Sequence, residues 1–355
     1  MSDLSTTSDY RIALIGYGTA GRVFHAPLID ATPGLSLAAI VTGNAERSQA
    51  IASRYPQAEV IGSVDELWTR ADAFDAVVVA SPNGSHAEHA RAAIDAGLAV
   101  VVDKPLAADT DQAQRLINAA AEAGVPLTVF QNRRWDADFL TLADLIEAGR
   151  LGDVRRFESR FERWRPEPKA GWKRNAEPGA AGGILFDLGS HLIDQALTLF
   201  GPATTVYAEL DARYADSAVD DDAFVALEHA NGVRSHLWMS SVAPDLGPRF
   251  RVLGDTAAYV KFGLDPQEAR LGEGAVPGGD GWGSEAEGAW GRLGAGDYSE
   301  MVPSRAGDYP AFYQQFAAAL AGNSPLPVAA TNALAGLQII EAARLASAER
   351  RTVRL

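Results

Sequence analysis

The chain has 355 residues, 47% of them hydrophobic, and carries 46 acidic against 31 basic residues for a formal net charge of −15. Its length favours two domains, and its negative field disfavours nucleic acid and anionic membrane as partners. The lack of any cysteine excludes disulfides, thiolate nucleophiles and cysteine-ligated zinc or iron–sulfur centres, and no metal is expected.

The first ten residues are polar, with neither a basic nor an apolar leader pattern, and no later apolar run reaches about 18 residues, so the expected compartment is the cytoplasm. From Arg11 to Phe130 short apolar runs alternate with helical patterns. The expected strands are Arg11–Ile15, Leu35–Val41, Glu59–Ile61, Ala76–Ala80, Val100–Asp103 and Leu127–Phe130, with helices at Ala45–Tyr55, Ser85–Ala96 and Thr110–Ala123. Runs such as Val77-Val78-Val79 do not alternate, which suits strands covered on both faces. Residues 1–130 thus read as an α/β Rossmann domain, a doubly wound parallel sheet.

Between the first strand and the first helix stands Gly16-Tyr17-Gly18-Thr19-Ala20-Gly21. Gly16 permits a tight turn, Gly18 lets backbone approach a pyrophosphate, and Gly21 lets helix and strand pack closely, while Thr19 and Ala20 open a helix whose N–H groups are unpaired. A dinucleotide is the expected cofactor. The second strand ends in Val41-Thr42-Gly43-Asn44-Ala45-Glu46-Arg47, with no acid directly at the strand end. Thr42, Asn44 and Arg47 suit a 2′-phosphate, so NADP is expected, with NAD left open through Glu46.

The fifth strand runs into Asp103-Lys104-Pro105, which sets Lys104 just past a strand's C-terminal end, where open α/β sheets bind ligands; a surface lysine beside a turn aspartate is the other reading. After Phe130 the texture changes. A helix near Phe139–Ala148 and a strand Val154–Arg163 precede a Pro- and Gly-rich stretch, Pro166–Gly183, and a helix Ile184–Phe200. Strands then follow at Val206–Tyr214, Ala223–His229, Val233–Met239, Phe250–Leu253 and Ala257–Phe262. Gly272–Gly307 reads as a long loop or irregular hairpins, and Tyr309–Ala321 and Thr331–Ala348 as closing helices. Residues 131–355 are expected to form an α+β domain on a large, mostly antiparallel open sheet whose uncovered face favours pairing with another subunit.

Within the helix after residue 184, Asp187 and His191 stand four apart, offset from an apolar face of Leu188, Leu192, Ala196 and Leu199. The pair suits a histidine base whose acidic neighbour raises its pKa towards neutrality, or an ordinary helical ion pair. Two ligands without a third argue against a metal site.

Taken together, the glycine turn, the Lys-Pro strand end and the Asp/His helix resemble the Gfo/Idh/MocA oxidoreductases over almost the whole chain. The resemblance implies a site in which Lys104 hydrogen-bonds the reacting hydroxyl, Asp187 orients the substrate and His191 is the general acid/base. Asp103 departs from the family's usual Glu. Ser81, Pro82, Asn83 and His86 would lie along the nicotinamide side of the cofactor, with Pro105 shaping the turn, although Asn83 and Ser85 also suit a loop and helix cap. Phe24-His25-Ala26-Pro27, Gln131-Asn132-Arg133-Arg134-Trp135-Asp136 and the run Asp187 to Gln195 are similar to the NADP-dependent scyllo-inositol dehydrogenase branch. In that comparison Asn132 and Arg133 face substrate hydroxyls, and Trp172 is either a lid over a sugar-like ring or an ordinary exposed or core tryptophan. The implied activity is hydride transfer between NADP and a secondary alcohol of a cyclic polyol or sugar, in a homodimer or homotetramer. An NAD-dependent glycosidase of the same fold and a non-catalytic dinucleotide-sensing regulator are the alternatives.

Overall fold

A computed structural model of the chain describes residues 9–167, 181–215 and 217–355. Strands β1 (Tyr10–Ile15), β2 (Leu35–Val41), β3 (Glu59–Ile61), β4 (Ala76–Val79), β5 (Ala99–Asp103) and β6 (Leu127–Phe130) form a wholly parallel sheet in the order β3-β2-β1-β4-β5-β6. Alternate residues enter opposite cores: Ala13, Ile15, Val77 and Val79 pack on one side, Ile12, Leu14, Ala76 and Val78 on the other. Both faces are dry, which is why these strands show no polar alternation. The strand order reverses between β1 and β4, and the loops following β1, β4 and β5 gather at the crevice this creates.

The helices of this half are α1 (Ala26–Asp30), α2 (Ala45–Arg54), α3 (Val64–Trp68), α4 (His86–Asp95) and α5 (Thr110–Ala123). A π-helical turn, Ala20–His25, runs directly into α1. The start of α5 is fixed by Asp109, whose carboxylate accepts from Gln112 N at 2.7 Å, and its end by Gly124 at φ 67°.

The second sheet has nine strands, β7 (Val154–Glu162), β8 (Ala203–Asp211), β9 (Asp222–His229), β10 (Arg234–Ser240), β11 (Phe250–Gly254), β12 (Ala258–Lys261), β13 (Gly291–Ala295), β14 (Tyr298–Val302) and β15 (Val353–Arg354). Their order is β14-β13-β12-β11-β7-β10-β9-β8-β15, and every pair is antiparallel except β7 with β10. Helices α6 (Ala137–Glu147), α7 (Ser190–Phe200), α8 (Gln267–Gly272), α9 (Pro310–Leu320) and α10 (Ala330–Glu349) complete the chain. The face under α7 and α10 is apolar, with Phe157, Phe161, Val225, Leu237 and Val252 buried. The opposite face carries Tyr207, Phe224, His236 and Trp238, with the Arg160 guanidinium 4.0 Å from the Trp238 ring.

The stretch Gly272–Gly307 holds an ordered β13–β14 hairpin that lengthens the sheet, turning at Gly296 with φ 56°. Its Gly-rich composition serves packing as well as turning, since a side chain at Gly291 would occupy the space of the Tyr259 ring. Helix α9, late in the sequence, packs on the first sheet: Tyr309, Phe312, Tyr313 and Phe316 are fully buried in the same core as Ile12, Leu14 and Phe130. The Phe130 and Phe312 rings meet edge-on at 4.9 Å. Among the described residues no helix is long and apolar enough to cross a membrane.

Candidate active site

The glycine turn divides its work among three positions. Gly16 has φ +98°, and a Cβ there would lie 2.6 Å from the Ala80 carbonyl oxygen; a Cβ at Gly21 would strike the Gly16 carbonyl. Both are therefore steric requirements of the fold. Gly18 differs, because a Cβ there would meet nothing within 4 Å. The fold does not need that glycine, but an elongated diphosphate passing close to backbone does, so the cradle fits a dinucleotide. Thr19 and Ala20 begin the helical turn beside it.

At the end of β2, Thr42 is buried and its hydroxyl accepts from Asn44 N at 3.3 Å, while the Asn44 carboxamide oxygen accepts from Arg47 N at 2.9 Å and caps α2. Asn44 is thereby occupied as a helix cap. The exposed Arg47 guanidinium, at the start of α2, has no carboxylate partner among the described residues.

On the opposite side of the switch point, Ser81, Pro82 and Asn83 follow β4. The Asn83 amide donates to Ala181 O at 3.1 Å and ties this loop to the second half of the chain, and neither Asn83 nor Ser85 caps α4 through its side chain. His86 is wholly buried, with ring nitrogens 2.7 Å from Pro105 O and 2.9 Å from Ser81 O. It braces the loops after β4 and β5 against each other and presents no free ring edge to a ligand. The Lys104–Pro105 peptide is cis.

Lys104 reaches across to the second half, where its Nζ donates to Asp187 O at 2.5 Å and lies 3.3 Å from Asp187 Oδ1. Its own backbone N–H donates to Asp103 Oδ1 at 2.9 Å. Behind Asp103 stands buried His25, with Nε2 at 3.8 Å and Nδ1 2.6 Å from the Tyr313 hydroxyl. Burial pushes the Asp103 carboxyl up, but His25 and Lys104 outweigh it and hold the group below its ordinary value. The shorter acid at this position is thus an ionised partner gripped from behind.

Asp187 lies in a π-helical turn, Leu185–Gly189, that leads into α7, with Asp187 N donating to Gly183 O at 3.0 Å. His191 is in the first turn of α7 and only 6% exposed. Burial, then the charges of Lys104 and Arg133, drive its pKa well below 6.5; Asp187 pulls the other way and loses. The expectation that the aspartate would raise this pKa is therefore overturned, because desolvation and two cations outweigh one carboxylate. Its Nδ1 is buried with no hydrogen-bond partner among the described residues.

Asn132 and Arg133 sit at the junction, both buried. The Arg133 guanidinium is held by Glu268, by the Tyr309 hydroxyl at 3.1 Å and by Asp136 at 3.5 Å, and lies 4.9 Å from the Phe161 ring. Arg134 makes a two-pronged pair with Asp194 at 2.8 and 2.7 Å. Gln195 donates to Arg133 O and accepts from Arg249, which also pairs with the Asp138 carboxylate at 3.1 Å and donates to Ser159 Oγ at 2.6 Å. Trp172 lies outside the described residues. Glu268, Tyr309, Arg249 and Arg163 belong to this cluster and were missed from sequence. Only Arg163 carried a signal, as the last inward position of an alternating strand.

A dinucleotide cradle whose open end meets a lysine, a carboxylate and an unprotonated histidine is furnished for moving a hydride and a proton, which places the protein among the nicotinamide-dependent oxidoreductases. Residues 10–131 match the family described as "Oxidoreductase family, NAD-binding Rossmann fold", and residues 143–355 match "Oxidoreductase family, C-terminal alpha/beta domain". The chain belongs to the Gfo/Idh/MocA oxidoreductase family. It is 36% identical over 349 residues to the scyllo-inositol 2-dehydrogenase (NADP(+)) IolW of Bacillus subtilis, covering 97% of this chain and 96% of that one. It is 38% identical to the oxidoreductase YdgJ of Escherichia coli, over 94% and 95% of the two chains. The solved structure of the oxidoreductase yvaA from Bacillus subtilis superposes with a TM-score of 0.93 at 36% identity, over 99% of both chains.

Proposed function

We propose that the protein is an NADP-preferring dehydrogenase acting on a secondary alcohol of a cyclic polyol or sugar, with Lys104, Asp187 and His191 as the reacting set. The observation that carries this reading is the meeting of Lys104 with Asp187 one helical turn from a histidine kept neutral at physiological pH. Gly16, Gly18, Thr19, Ala20 and Gly21 would hold the diphosphate, Thr42 and Arg47 the adenosine ribose and its phosphate, and the Ser81–Asn83 and Lys104–Pro105 loops the nicotinamide end. When bound, the dinucleotide supplies the hydride acceptor or donor. His191, already without its proton, takes the proton of the substrate hydroxyl at a ring nitrogen. Lys104 donates an N–H to the same oxygen and stabilises the charge that develops there, while Asp187 fixes the ammonium. Asn132 and Arg133 would address further hydroxyls; Arg133 can do so only at the edge left free by Glu268, Asp136 and Tyr309. The NADP preference is supported by Arg47 and by the cofactor in the name of the Bacillus relative.

We place the enzyme in the cytoplasm, consistent with its lack of cysteine. The outward face of the second sheet, with Tyr207, Phe224, His236 and Trp238, supports assembly into a homodimer or homotetramer.

The test is a panel of inositols and aldoses assayed with NADP and with NAD. Lys104→Met and His191→Asn should each lower kcat by about 10²–10⁴-fold while NADPH still binds, as read by its fluorescence. Unchanged turnover would remove both residues from the chemistry. Release of a sugar's substituent without net NADPH would replace the dehydrogenase with an elimination reaction.

A further inference from the structure

Strand β7 runs towards the junction, and its pleat sends alternate residues to opposite sides. Phe161 is fully buried on the helix-covered side, whereas Trp164 is 54% exposed. Beyond Glu162 the chain stays pinned to the end of β10, with Arg163 N donating to Ser240 O at 2.8 Å and Arg165 N to Ser241 O at 2.9 Å. Arg163 and Arg165 therefore follow Phe161 inward. The Arg163 guanidinium lies 4.9 Å from the Phe161 ring, the same ring that Arg133 covers at 4.9 Å. The charges acting on Arg163 are those of Arg165, Asp187, Glu268 and Arg133, the last of which, with Asp187, also acts on His191. The shared Phe161 ring and these mutual charges set Arg163 beside Arg133, at the edge of the candidate active site.

The cations of this site differ in how they are satisfied. Lys104 has Asp187, Arg133 has Glu268 and Asp136, and Arg249 has Asp138. Arg163 and Arg165 have no carboxylate within ion-pairing distance among the described residues. Two neighbouring guanidiniums, half-withdrawn from water and repelling each other, are costly in a protein that has acidic residues to spare. A guanidinium remains charged in such a setting and presents a planar fork that matches a carboxylate or phosphate.

We infer that Arg163 and Arg165 form an anion subsite of the substrate cleft, so that the ring alcohol oxidised beside Lys104 and His191 carries a carboxylate or a phosphate ester. This rests on the polyol or sugar dehydrogenase reading and narrows it to acidic ring substrates.

The experiment uses the NADP-loaded protein and three probes that share a ring: glucose, glucuronate and glucose 6-phosphate. One anionic probe should exceed glucose in kcat/KM by roughly 10- to 100-fold at low ionic strength, the range expected of charge-assisted hydrogen bonds, and salt should erode the advantage. Glucuronate ahead of glucose 6-phosphate assigns a carboxylate, and the reverse assigns a phosphate. Arg163→Gln and Arg165→Gln should each lower the ratio of anionic to neutral kcat/KM. Calorimetric titration of the wild-type holoprotein with each probe decides the same question without any variant: tighter binding of an anion than of glucose supports the subsite. Equal or tighter binding of glucose overturns it. If no probe is turned over but an anion binds more tightly, the dehydrogenase reading fails for these rings while the subsite stands.

Discussion

Gly16 and Gly18, two residues apart, should fail in opposite ways when each becomes alanine. At Gly16 the new methyl group would sit 2.6 Å from Ala80 O on a backbone at φ +98°. The positive φ costs about 1–2 kcal/mol and the forced contact roughly 1–3 kcal/mol. Their sum, roughly 2–5 kcal/mol, should lower Tm by about 3–7 °C for a protein of this size. At Gly18 the methyl would meet nothing within 4 Å, so the same replacement should leave Tm within about 2 °C. Binding reverses the order of harm. The Gly18→Ala methyl projects into the space assigned to the diphosphate and should weaken NADPH at least tenfold in a fluorescence titration. Thermal unfolding of the ligand-free proteins, paired with that titration, makes the comparison. A Gly18→Ala protein as unstable as Gly16→Ala, or one that binds NADPH like the wild type, would refute the assignment of that open space to the cofactor.

Arg47→Ala should weaken NADP by about 1.5–3 kcal/mol and leave NAD nearly unchanged; equal loss for both dinucleotides, measured by titration, would take the phosphate away from Arg47. The buried His191 makes a prediction about stability and pH. Its folded pKa lies below 6.5, so the unfolded chain takes up a proton that the folded protein refuses. The stability tied to this residue is complete above about pH 6.5 and is lost as the pH falls towards the folded value, at up to about 1.4 kcal/mol per pH unit. Urea unfolding between pH 6.5 and 5 should show a shallower loss for His191→Asn than for the wild type, and parallel lines would contradict the neutral histidine.

The parts of the fold and site that were legible are those written in short stretches of chain. The turn from Gly16 to Gly21 declares itself because its three glycines keep a fixed spacing within six residues, directly after an apolar strand. Lys104 does so because it follows a strand end, and Asp187 with His191 because a helix repeats every three to four positions. What stayed hidden depends on residues that only folding brings together. The Tyr313 hydroxyl that holds His25 is 288 positions away along the chain, and no local pattern announces that Asp103 has a buried imidazole behind it. Spacing gave His191 a carboxylate neighbour but could not weigh it against burial and the charges of Lys104 and Arg133, so the direction of its pKa came out reversed. Composition left a loop and hairpins equally open at Gly272–Gly307; the structure has the β13–β14 hairpin, where Gly291 is small to admit the Tyr259 ring. That Arg163 and Arg165 have no carboxylate partner among the described residues is likewise a property of what does not surround them, which a sequence does not express.

The aromatic face of α9 belongs to the interior of a half whose strands were finished some 180 residues earlier. A ribosome that has delivered β6 has therefore made every nucleotide-binding loop without the wedge of Tyr309, Phe312, Tyr313 and Phe316 that seals the layer beneath them. The early half must wait, with that side of its sheet uncovered, until residues 309–316 emerge. Excising it as a portable nucleotide-binding cassette would leave that wound permanently open. The early half thus draws one wall of its interior from the later one.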